Sequence, residues 1–136
     1  MLNEEQLKEK YELAMKLNLS GAELLLLEDA LEECNGIGAD WFPTWLRWLI
    51  TSALPSLEVI ADIHDMRYFI GGHIPDRKFA DKEFEENGEK VALQYNALNP
   101  RRYLIRKAVR LMYAILVVGG WTAFNYKHDT EVQKDV

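Results

Sequence analysis

His64 and Asp65 stand side by side in the stretch 56–68, Ser-Leu-Glu-Val-Ile-Ala-Asp-Ile-His-Asp-Met-Arg-Tyr. The imidazole can take a proton near neutral pH, and the carboxylate beside it can hold a cation. Ile60, His64 and Tyr68 recur at four-residue intervals, so a helix places them on one face. Asp65 is turned by about 100° from His64 on a helix of 3.6 residues per turn. One helix can therefore offer a base and a cation ligand at the same level without crowding them together. Further along, Asp81, Phe84, Gly88, Val91 and Tyr95 fall on a second stripe. Most of it is apolar, so Asp81 is expected to face inward. An inward carboxylate needs a partner, and a histidine on a packed neighbouring helix is a natural one.

The chemistry of such an arrangement is general-base activation of water. Asp81 accepts a hydrogen bond from one ring nitrogen of His64 and fixes its tautomer, while the other nitrogen takes the proton. Upstream, the stretch 34–38 reads Cys-Asn-Gly-Ile-Gly, and Gly36 and Gly38 permit a tight loop with inward carbonyls. Those carbonyls and Asp65 make a hard-oxygen set that favours calcium over zinc. A cation there polarises a carbonyl and stabilises a developing oxyanion. Taken singly, each piece has a plainer reading. A helical histidine is commonly a packed core or surface residue, and a Gly-x-Gly is commonly a turn. Asp81 can be an ordinary charge in an Asp-Lys-Glu run, and Cys34 a small buried residue. His73 and His128 are expected to be exposed bystanders.

Glycine, proline and capping residues divide the chain into helices that must position these groups. Asn3 caps a first helix with Leu7, Tyr11 and Ala14 along one side. Ser20-Gly-Ala-Glu is a capping-box pattern that opens a helix through the four leucines 24–27 to about Glu33, buried on more than one side. After the glycine loop, a short helix at 44–53 carries Trp45 and Trp48, with Trp41 just before it. Those rings serve core packing or a lipid-facing rim. The His64 helix starts with Ser56 as cap and stops at Gly71-Gly72. Asp76 caps the next helix, which is expected to run to about Leu98, before Asn99-Pro100. A last helix spans Arg102 to Val118, and the tail from Asn125 is expected to fray. No strand pair is convincing, although the connections at 38–41 and 71–75 have room for a short hairpin. The fold class is all-α: a small single domain over 1–136 whose two antiparallel central helices carry the His/Asp site.

Composition agrees with one globular domain, since 49% of the residues are hydrophobic and 28% charged. The net charge of −6 conceals an asymmetry. Acids dominate residues 1–33, whereas Arg101, Arg102, Arg106, Lys107 and Arg110 form a stripe with no acid among them. That stripe can meet a polyanion or anionic headgroup, or be a solvated face that pairs with the acidic N-terminal part. An acidic chain without zinc-finger spacing or an RNA-recognition motif gives no case for nucleic-acid binding. Cys34 is the single cysteine, so no internal disulfide forms, which suits a reducing compartment. The N-terminus shows no secretory signal. The apolar stretch 111–124 is shorter than the roughly twenty residues of a membrane span and reads as a buried helix, or as an interfacial segment.

Three motifs in order carry a resemblance: Cys-Asn-Gly-Ile-Gly at 34–38, His-Asp-Met-Arg-Tyr at 64–68 and Ala-Asp-Lys-Glu-Phe at 80–84. Together they resemble the phospholipase A2 superfamily over about residues 34–90. The resemblance implies a phospholipase A2-like core at about 34–98; the C-terminal helix at about 102–118 and a tail at 125–136, expected to be flexible, complete the single domain. It implies calcium held by the carbonyls of Cys34, Gly36 and Gly38 and the carboxylate of Asp65. His64 is then the base, Asp81 its partner and Tyr68 a supporting hydrogen-bond donor. Secreted members have cysteines beside the His-Asp pair, where this chain has Ile63 and Met66. Their gap from loop to histidine is also shorter. Disulfide-free relatives such as the phospholipase domain of parvovirus capsids lack those cysteines too. The implied function is calcium-dependent hydrolysis of the sn-2 ester of glycerophospholipids at a membrane surface. The expected location is the cytoplasm or a virus or phage particle that delivers the chain. The alternatives are a non-enzymatic helical scaffold or phage-encoded interaction protein with the same fold, and a hydrolase of another ester or amide.

Overall fold

The structure, a computed structural model, describes residues 3–34, 44–45 and 55–127. Asn3 starts α1 (Glu4–Lys16) with a reciprocal capping box: its Oδ1 accepts from Gln6 N at 2.8 Å, and Gln6 Oε1 accepts from Asn3 N at 3.0 Å. Leu7 and Tyr11 pack on the core and Ala14 is buried within it, as their spacing predicts.

The leucine run behaves differently from its expectation. It forms a 3₁₀ turn (Ala22–Leu26) and then breaks before a single turn of helix, α2 (Ala30–Glu33). Leu24 and Leu25 are buried, but Leu26 is 63% exposed and Leu27 is also outside. The cause is long-range. Ser20 does not cap this segment, because its hydroxyl donates to Glu83 at 2.7 Å and its backbone is gripped on both sides by Asn87. Gly21 follows at φ 85°, and a Cβ there would press on Ile63 and Glu83.

Two helices form the centre. α3 (Pro55–Ile70) and α4 (Ile74–Ala92) are joined by Gly71, Gly72 and His73, and lie antiparallel as a hairpin. α3 already includes Pro55, one residue before the expected cap Ser56, and residues 46–54 lie outside the described ones. In the same way His73, not Asp76, is the cap position of α4. Asp76 sits in the first turn and accepts from His73 N at 2.9 Å. α4 also ends at Ala92, not near Leu98. Beyond it Asn96 Oδ1 accepts from Leu98 N at 3.0 Å, a local turn that competes with helix.

α5 (Pro100–Gly119) crosses α4 closely at Gly88, where a Cβ would overlap the Val109 side chain. Ile60 and Ile63 of α3, Phe84 and Val91 of α4, and Ile105 and Met112 of α5 share one core. The basic stripe on α5 does not meet the N-terminal acids. Arg106 instead pairs with Glu89 of α4, while Lys10 of α1 pairs with Glu58 and Asp62 of α3. After α5 the chain doubles back. Asn125 N donates to Tyr68 O at 3.1 Å, Gly72 N to Asn125 O at 3.1 Å, and Lys127 N to Gly72 O at 2.9 Å. Gly71 has φ 68° and no room for a Cβ against the Asn125 carbonyl, which is why a glycine pair stands at this turn. The tail is thus bound through Lys127 where fraying was expected from Asn125. No hairpin forms at 71–75; Gly72 instead makes an isolated bridge with Tyr126. Among the described residues there is no strand, and no helix is long and apolar enough to cross a membrane.

Candidate active site

α3 presents His64 and Tyr68 on one face, and α4 brings Asp81 up against both. His64 Nε2 lies 2.9 Å from Asp81 Oδ1, and the Tyr68 hydroxyl donates to the same oxygen at 2.6 Å. The imidazole is 7% exposed and Asp81 4%. A buried carboxylate oxygen with two donors is held by charge-assisted hydrogen bonds, each of about 1.5–3 kcal/mol. Because a carboxylate only accepts, Nε2 carries the hydrogen. In the neutral ring, Nδ1 is then the basic nitrogen, and no described residue bonds to it. The Tyr68 ring lies tilted against His64 with centres 4.1 Å apart, and Phe84 meets the imidazole edge-on at 5.5 Å. Burial first, then the bond to Asp81, pushes the Tyr68 phenol far above its ordinary range, so it remains a donor.

Asp65 points elsewhere. Its Oδ2 is buried and has no hydrogen-bond partner among the described residues. Burial, and then the carboxylates of Asp62 and Glu33, hold its carboxyl well above the usual carboxylate range, while Lys10 pulls the other way. A hard, desolvated oxygen in acidic surroundings suits a hard cation, so Asp65 fits the calcium that the motifs imply. Cys34 is anchored beside it: Sγ donates to the Asp62 carbonyl at 3.6 Å. Its thiol is pushed up to about 12, by burial first and then by Asp62 and Asp65. A buried thiol held up in this way is a poor nucleophile near neutral pH. Gly36 and Gly38, like Trp41 and Trp48, lie outside the described residues. Among those described, no three His, Cys, Asp or Glu side chains converge as a metal cluster.

Two supports around the site were not foreseen. Arg67, inside the His-Asp-Met-Arg-Tyr motif, forks onto buried Glu83 through Nε at 3.0 Å and Nη2 at 2.9 Å, and Ser20 adds a third donor. This ties the segment after α1 to both central helices without a disulfide. The other support is the returning chain. Phe124 is buried with its ring centre 5.1 Å from that of Tyr68, and a Cβ on Gly120 would overlap the Tyr68 hydroxyl. Gly119-Gly120 was the only local signal for that approach. No family model, curated protein or solved structure matches the chain, so a functional reading rests on the motifs and this geometry.

Proposed function

We propose that the chain is a calcium-dependent hydrolase acting on the sn-2 ester of glycerophospholipids at a membrane surface. The observation that carries the reading is Asp81 Oδ1, which meets His64 Nε2 at 2.9 Å and the Tyr68 hydroxyl at 2.6 Å, while Asp65, next to His64 on the same helix, keeps a buried oxygen with no partner among the described residues. His64 takes a proton from water at Nδ1 as the water oxygen bonds to the ester carbonyl carbon. Asp81 stabilises the imidazolium so formed, and Tyr68 keeps that carboxylate in place. His64 then returns the proton to the glycerol oxygen as its bond to the acyl carbon breaks, releasing a fatty acid and a lysophospholipid. Bound calcium would supply the electrophile that polarises the ester carbonyl, with Asp65 and the carbonyls of Cys34, Gly36 and Gly38 to hold it.

The test is hydrolysis of phospholipid in calcium and in chelator, with wild type, His64→Gln and Asp65→Asn side by side. Both variants and chelation are expected to remove turnover. Activity that survives His64→Gln and ignores chelator sinks the proposal. A stable chain that binds calcium and cleaves nothing makes it a scaffold with the same fold.

A further inference from the structure

α5 is apolar on the wrong side as well as the right one. Its inner face enters the core through Ile105, Val109, Met112 and Leu116. On the opposite side Leu104, Leu111 and Val118 follow at seven-residue intervals, flanked by Tyr103, Val117 and Trp121, all between 39% and 78% exposed. A helix at a protein surface ordinarily turns charge outward, and an exposed apolar face of this extent marks a contact. Lys107 and Arg110 are the charged residues set among these side chains, and α5 contains no acid. Among the described residues, the acids Glu85, Glu86 and Glu89 lie on the α4 side next to Arg106 and Arg110. Glu89 is already engaged by Arg106.

We propose that the outward face of α5 docks the protein on an anionic phospholipid bilayer, with Lys107 and Arg110 at the headgroups and the apolar side chains in the interface. A second copy of the chain is a poor occupant, because α5 against α5 sets cations against cations with no acid on either helix. A bilayer supplies what the face lacks, negative charge above an apolar layer, and Tyr103 and Trp121 have rings suited to that boundary. The helix lies on the membrane, since it is too polar to cross one. Just beyond α5, Gly120 and Phe124 abut Tyr68. Choosing lipid over an acidic protein rests on the hydrolase reading.

Binding and turnover are measured apart so that the two readings can fail separately. Full-length His64→Gln protein in chelator is sedimented with vesicles of phosphatidylcholine alone or mixed with phosphatidylglycerol. It is expected to prefer the anionic vesicles. Each of Lys107→Gln and Arg110→Gln is expected to weaken that binding about fivefold, and the pair about thirtyfold. Val118→Asp, at an exposed position, is expected to abolish it with an unchanged melting curve. In the active background the same substitutions leave hydrolysis of a soluble short-chain phospholipid unaltered. Equal binding to both vesicle types, or binding untouched by these substitutions, overturns the docking face whatever the enzyme does. A dimer broken by Val118→Asp, or capture of polyglutamate in place of vesicles, overturns it in favour of a protein partner. Vesicle binding with no cleavage of the soluble lipid supports the docking face and overturns the hydrolase.

Discussion

Replacing Asp65 by Asn is expected to stabilise the protein in chelator and destabilise it, relative to wild type, in calcium. In the metal-free protein Asp65 Oδ2 is buried without a partner among the described residues, and its carboxyl is held above the usual range by burial and by Asp62 and Glu33. A group whose folded value is raised binds more protons in the folded chain than in the unfolded one. Stability is therefore lost as pH rises from the unfolded carboxylate range, near 4, through the folded value. Holding this unpartnered buried carboxyl in place costs about 1–3 kcal/mol, the usual cost of an unsatisfied buried polar group. Asparagine keeps the shape and removes the charge. For a domain of this size each kcal/mol moves the melting point by about 3–4 °C, so a rise of about 3–12 °C is expected in chelator. With calcium the order reverses, because the wild type gains RT ln(1 + [Ca]/Kd) and the variant does not. Differential scanning calorimetry at pH 5, 7 and 8, with and without calcium, reads all three effects. If Asp65→Asn melts no higher than wild type in chelator, the buried carboxylate is not a reserved cation ligand and the reasoning fails.

Tyr68→Phe removes a 2.6 Å donor from a buried carboxylate and is expected to lower stability by about 1.5–3 kcal/mol in urea denaturation; a loss below about 0.5 kcal/mol would mean the bond is idle in solution. Gly120→Ala puts a methyl group onto the Tyr68 hydroxyl. A loss of about 1–3 kcal/mol is expected from the overpacking, together with reduced turnover, and an unaffected melting point argues that the returning chain does not press on the site. Cys34, with its thiol pushed up to about 12, is expected to resist iodoacetamide at pH 8 until urea unfolds the chain, as followed by mass spectrometry. Rapid alkylation of the native protein contradicts its burial.

The contact between His64 and Asp81 was legible because both ends of it were written in helical spacing. Tyr68 shares a face with His64, and Asp81 shares one with Phe84, Gly88 and Val91, so two packed helices had to bring them together. The leucines at 24–27 misled for the opposite reason. Their local pattern is helical, but Ser20, which should open the helix, is held by Glu83 and Asn87 more than sixty residues away. The end of α4 was missed because Asn96 captures a backbone N–H within two residues, and helix periodicity does not register that competition. The bound tail was missed because Asn125 is polar and looks solvated. Its partners, Tyr68, Phe69 and Gly72, are set by the tertiary fold alone.

The returning segment also sets the order in which the site is completed. The α3–α4 hairpin closes over a three-residue connection, so His64 can meet Asp81 early, through contacts local in sequence. Asn125 bonds to Phe69 across 56 residues, and that closure carries a larger entropic burden. On a ribosome His64 and Asp81 can therefore pair while Gly120 and Phe124 are still unmade. A nascent chain holds that pair loosely, and Tyr68 gains its contacts with Gly120, Phe124 and Asn125 only once the segment through residue 127 is made.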